Sequence, residues 1–143
     1  MELLVARSST SFACDYFFID RLVADPRNRG TVYATIQCSD GPCPLDPGYH
    51  TTDGGTTWAK WNLPGGSRIL GINPQGTIYA QTSYSGPTGL VTSTDGGKTW
   101  NGVATTGLTS VIGVLAFDPQ NPNHLYGGGA GSLFEISLAP EGQ

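Results

Sequence analysis

Two eight-residue stretches constrain this chain more than any other feature: TTDGGTTW at residues 51–58 and STDGGKTW at residues 93–100, 42 positions apart. Each places an aspartate two residues after a hydroxyl side chain, then two glycines, then Thr-Trp. That order suits a tight reversal between antiparallel strands. Asp53 and Asp95 can accept hydrogen bonds from backbone N–H groups of the turn. Gly55 and Gly97 supply φ > 0, which residues with side chains tolerate poorly. Thr57 and Thr99 suit a strand start, and Trp58 and Trp100 are expected to bury large rings between neighbouring sheets. The two aspartates therefore read as staples of a turn rather than as acids or bases.

Other echoes surround the boxes. Asp25-Pro26, Asn73-Pro74 and Asp118-Pro119 recur at intervals of 48 and 45, and each precedes a β-like run with a tyrosine, Tyr33, Tyr79 or Tyr126. Periodicity of roughly 40–50 residues made of short strands points to propeller blades. Each unit can be written as four strands, a to d, with the Asp-Pro turn between a and b and the box between c and d. The strands are expected at 17–24, 31–36, 49–52 and 57–62, then at 68–72, 76–82, 89–93 and 98–103. The third unit offers a, b and c at 110–117, 124–128 and 132–138, with no box and no strand d. The fold class is all-β: blades of four antiparallel strands, about two and a half to three of them, in an incomplete ring. The divisions are 1–16 as an N-terminal strand or extension, 17–62 and 63–105 as two blades, and 106–143 as an incomplete third. No segment shows a helical period.

The pattern S/T-x-D-x-G-x-T-W at a c–d turn resembles the Asp-box, or BNR, repeat. That repeat occurs in sialidases, xyloglucan-cleaving glycoside hydrolases, sortilin-type receptor domains and a photosystem assembly factor. The resemblance spans about residues 17–138. It implies the blade, and it does not choose among chemistries, because those families share the fold and differ in function.

Composition narrows the classes of partner. The chain has seven Lys and Arg, no basic run and a formal charge of −4, which argues against nucleic acid and against a polybasic membrane patch. No apolar run is long enough to span a bilayer. The start MELLVARSST carries an acid where a secretory signal has a cation, so it is not read as one. Cys38 and Cys43 bracket a turn-rich loop, so a local disulfide is sterically allowed; two separate thiols are the alternative, and Cys14 is left over. The two histidines, His50 and His124, lie on different blades, and no metal or cofactor is expected. The cysteine loop and the resembling families favour an extracellular or cell-surface location.

Propellers usually close with about four to eight blades, so this chain does not close a ring alone. Three arrangements stay open: a piece of a larger propeller, a freestanding set of blades, or several copies joined into a ring or filament. In the last, the run Glu2–Arg7 could supply the missing d strand of another copy's third blade; a free N-terminus or the tail of an upstream blade is the alternative.

In a propeller the a–b and c–d turns share one face, and ligand sites generally use the other. Aligned on their Asp-Pro or Asn-Pro turns, the a strands place Asp20, Arg68 and Gly113 at equivalent positions near the channel end. Asp20 and Arg68 are the leading site candidates, with an inter-blade salt bridge as the alternative. Arg21 is next in line, but alternation turns it to the opposite face of its sheet. Tyr49, Trp61 and Tyr84 could form aromatic surfaces for stacking on sugar rings or peptides, or could pack between blades. Arg68-Ile69-Leu70 resembles the Arg-Ile-Pro element of sialidases, with leucine in place of proline, and five arginines are too few to promise a triad. The expected role is a non-catalytic module recognising protein or glycan, with no catalytic residue of its own. The alternatives are part of a glycoside hydrolase whose catalytic residues lie outside this chain, and a structural subunit polymerising through its end blades.

Overall fold

The Val-, Ile- and Tyr-rich runs fold as antiparallel meanders, each tied off by the turns that the repeats encode. The computed structural model describes residues 17–38, 48–64, 67–82, 89–103, 111–129 and 131–138, and these contain strands and turns but no helix. The first sheet runs β1 (Phe17–Ala24), β2 (Val32–Cys38), β3 (Gly48–Thr51) and β4 (Ala59–Lys60) in simple neighbour order. The second repeats it with β5 (Ser67–Ile72), β6 (Ile78–Thr82), β7 (Leu90–Ser93) and β8 (Asn101–Gly102). The third contains β9 (Val114–Phe117), β10 (His124–Gly129) and β11 (Ser132–Ser137), three strands among the described residues. The innermost strands β1, β5 and β9 lie side by side, with β5 in the middle. The chain is an arc of three β-propeller blades, and the arc is open.

Two apolar layers hold the arc together. Between blades one and two, Tyr33, Trp61 and Leu63 pack on Ile69, Ile72, Ile78, Ala80 and Val91. Between blades two and three, Leu70, Tyr79 and Leu90 pack on Ile112, Leu125 and Ile136. Strand alternation produces this: each blade sends odd and even residues to opposite faces, so it belongs to two layers at once. Gly71 is part of the fit, because a Cβ there would lie 2.8 Å from the Phe117 ring.

The Asp-Pro turns are closed by their own side chains. Asp25 accepts from the Arg27 N–H at 2.8 Å, Asn73 from the Thr77 N–H at 2.8 Å and Asp118 from the Gln120 N–H at 2.8 Å. The Gly54 N–H donates to the Gly30 carbonyl at 2.9 Å, which puts the first box and the first Asp-Pro turn on one face of the arc.

Three expectations are corrected. The d strands are two residues long, not six, because Thr57-Trp58 and Thr99-Trp100 still belong to the box turns. Among the described residues Trp58 fills no inter-blade layer; it is half-buried and its indole N–H donates to the Gly55 carbonyl of its own box at 3.2 Å. No blade precedes blade one among the described residues. Strand β9 begins at Val114 rather than at 110. The run Glu2–Arg7 lies outside the described residues.

Candidate functional site

The boxes are self-contained hydrogen-bond cages. In the first, the Thr57 N–H donates to Asp53 at 2.9 Å and the Thr57 hydroxyl donates to it at 2.6 Å. The Thr51 hydroxyl donates to the same carboxylate at 2.7 Å and accepts from the Gly55 N–H at 3.0 Å. The second box repeats the pattern with Thr99, Ser93 and the Gly97 N–H around Asp95. The hydroxyl that opens each box, which the sequence leaves without a role, thus joins the aspartate to the glycine turn. The Thr57 hydroxyl, above all, holds Asp53 down to about 2 from an ordinary 3.8, and Thr99 holds Asp95 down in the same way. Neither group is tuned to exchange protons near neutral pH.

That depression gives a pH prediction. A carboxylate whose folded pKa lies below its unfolded one stabilises the fold above the unfolded value and ceases to do so as pH falls through the folded value. Melting temperature is therefore expected to drop as pH falls from about 4 through about 2, where Asp53 takes up its proton, with Asp95, held lower still, following below that. An Asp53→Asn, Asp95→Asn double variant should start less stable and show a shallower acid limb. An acid limb as steep as the parent's would remove the boxes from the explanation.

On the opposite face, the inner strands frame a pocket of ≈ 520 Å³. Its walls include Arg21 from β1, Arg68 from β5, Gly113 and Val114 at the start of β9, and the β10–β11 hairpin at Gly128, Gly129 and Leu133. The strand register explains the pair of arginines. Arg21 pairs with Thr35, Arg68 with Gln81 and Val114 with Gly128, in each case two residues beyond the tyrosine of the second strand. A β-bulge lies between Ile19 and Arg21 in blade one, and another between Ile69 and Gly71 in blade two. Each bulge inserts one unpaired residue, and the two fall at different levels.

Arg21 rather than Asp20 therefore stands level with Arg68, which corrects the alignment made on the turns, and the alternation argument against Arg21 fails at the same bulge. The Arg21 guanidinium crosses blade two to donate to the Gly113 carbonyl at 2.9 Å.

Asp20 takes another part. Its Oδ2 lies 3.3 Å from Arg68 Nε, and both atoms are shut off from solvent without the alignment of a hydrogen bond. The two candidates are brought together as an ion pair between blades one and two. Asp20 is not among the pocket's lining residues, and among the described residues no acid pairs with Arg21. The pocket thus contains two guanidinium groups against one neighbouring carboxylate.

The aromatic candidates separate. Trp61 is buried, tilted against Tyr33 with ring centroids 4.5 Å apart and edge-on to Trp100 at 5.6 Å, with its indole N–H donating to the Gly96 carbonyl at 3.0 Å. It is an inter-blade packing residue and not a ligand-stacking surface, because the second box closes over it. Trp100 completes that layer by donating to the Asn62 carbonyl at 2.7 Å. Tyr49 is half-buried on β3, paired with Ala34 and Lys60. Tyr84, Cys43 and the side chain of Cys38 lie outside the described residues.

The six described acids are all engaged. Asp20 pairs with Arg68, four aspartates close turns or boxes, and Glu135 accepts from His124 at 2.8 Å. Asp118 and Glu135 approach opposite nitrogens of His124, and the imidazole occupies the space between them. No group of three His, Cys, Asp or Glu among the described residues is placed to hold a metal ion.

Comparison with known proteins adds the fold and little more. No family model matches the sequence, and no curated protein matches it. Among solved structures, the chain is similar to the GH74 enzyme of Niastella koreensis, with a TM-score of 0.57 and 22% identity. The likeness covers 84% of this chain and 21% of that one, so the chain spans about a fifth of the enzyme's length. At that identity the likeness concerns the fold alone.

Proposed function

We propose that this chain is a non-catalytic module of the Asp-box, or BNR, propeller class that recognises a protein or glycan ligand carrying an anionic group. The observation that carries the reading is the pocket on the face opposite the boxes, with Arg21 and Arg68 on its wall and, among the described residues, no carboxylate pair beside it. Hydrolysis of a glycoside ordinarily needs two carboxyl groups about 5–10 Å apart across the sugar. The only two described carboxylates that share a partner have a histidine ring between them. Guanidinium groups, by contrast, recognise carboxylates through paired N–H donors. Gly128, Gly129 and Gly131 of the β10–β11 hairpin line the pocket beside Ser132 and Leu133, so a ligand can approach the backbone closely at the glycines. An extracellular or cell-surface setting belongs to the same proposal and rests on the Cys38–Cys43 loop.

Titration calorimetry with a panel of sialosides and of neutral β-glucans tests the reading. A carboxylate-bearing sialoside is expected to bind, and Arg21→Gln to weaken it about tenfold or more, from a charge-assisted contact worth about 1.5–3 kcal/mol. Arg21 is the residue to change because removing Arg68 would leave Asp20 buried and alone. Equal affinity in the Arg21→Gln protein would defeat the proposal.

A second reading is part of a glycoside hydrolase with its catalytic residues outside this chain. The likeness to the GH74 enzyme favours it. Turnover of any sialoside or β-glucan by this chain would displace the non-catalytic reading.

A further inference from the structure

The two ends of the arc are halves of one interface that the molecule builds twice internally. On the trailing side of each blade, the second strand presents a tyrosine: Tyr33 is 5% exposed, Tyr79 1% and Tyr126 50%. On the leading side, the first strand presents an aliphatic residue paired one position beyond that tyrosine: Leu22 opposite Ala34, Ile69 opposite Ala80, and Leu115 opposite Gly127. Tyr33 and Ile69 share the layer between blades one and two, while Tyr79 and Leu115 share the layer between blades two and three. That leaves Tyr126 at one end of the chain and Leu22, 64% exposed, at the other. Val114 and Leu133 are exposed beside Tyr126, and Ile19 is exposed on the same face as Leu22.

We propose that these ends bind each other between copies, the blade-three face at Tyr126 receiving the blade-one face at Leu22 of a second copy of this chain. The occupant follows from the repeat. A face that buries Tyr33 and Tyr79 against the aliphatic side of a following blade has its complement at the other end of the same polypeptide. Each free side chain is matched by the side chain its counterparts already touch. The contact is heterologous, joining different patches on the two copies. Two copies supply six blades, within the range of closed propellers; a rotation that does not close gives a filament. This contact borders the arginine pocket, since Val114 and Leu133 belong to both, but neither Leu22 nor Tyr126 lines the pocket, so substitutions at those two positions test the contact alone.

Light scattering on the full chain across a concentration series tests it, with strand content checked by circular dichroism. The parent protein is expected at two copies or more, with mass rising with concentration. Leu22→Asp and Tyr126→Asp alter exposed positions, so each should keep its fold while losing tenfold or more in self-association. Each blocks one end, so an equal mixture of the two should form a two-copy species through the remaining good ends. The double variant should stay single. A parent protein that remains single up to its solubility limit overturns the proposal, and would mean that the open face serves a blade of other origin. So does association that neither substitution weakens.

Discussion

Replacing Gly97 by alanine should destabilise the protein by about 2–5 kcal/mol, a large part of the total for a domain of this size. Two costs add. Gly97 has φ +86, where an L side chain is strained by about 1–2 kcal/mol. Its added Cβ would also fall 2.1 Å from the indole nitrogen of Trp61, so the ring on which blade one meets blade two must move. Trp61 cannot yield cheaply, since its N–H is bound to Gly96 and its ring lies between Tyr33 and Trp100. The control is Gly55→Ala, at the same letter of the first box. There φ is +92, but the nearest foreign atoms lie at 3.9 Å, an ordinary contact. Gly55→Ala should therefore show the backbone cost alone. Urea unfolding of the two variants separates the terms, and equal midpoints would refute the part assigned to Trp61.

Tyr79→Ala is expected to cost about 3–5 kcal/mol, as removal of a large buried aromatic does. Tyr79 is fully enclosed and packs on the Phe117 ring at 5.2 Å, so the cavity opens in the middle of the layer joining blades two and three. Tyr126→Ala, at the same repeat position, should cost less than about 1 kcal/mol in dilute solution, because half of its surface already faces water. Chemical denaturation of both proteins at low concentration measures the contrast. A similar loss at the two sites would mean that blade three's outer face is covered within one chain, which would also count against the contact between copies.

The parts of this molecule that could be read in advance are those whose interactions are local. Asp53 binds Thr57 four residues on, Asn73 binds Thr77 four residues on, and the glycines of the boxes adopt φ > 0 between them. Such contacts are written in consecutive letters, so an eight-residue match predicts them, and their recurrence predicts the blades. The salt bridge between Asp20 and Arg68 was also within reach, as one of two readings of an acid and a base at corresponding places.

Arg21 was not. Its position depends on a bulge whose location differs between β1 and β5, and one inserted residue reverses which side of a strand faces the pocket. Trp61 stayed between two readings, stacking surface or packing between blades, for a related reason: its partners, Gly96 and Trp100, lie 35 or more residues away and meet it only because blade two packs on blade one. The three tyrosines make the division plain. The letters around Tyr33, Tyr79 and Tyr126 assign all three to the same strand of a repeated unit, because strand pairing and turn chemistry act over a few residues. Which of them is buried depends on whether another blade follows, and burial is a property of neighbouring sheets that no single repeat encodes.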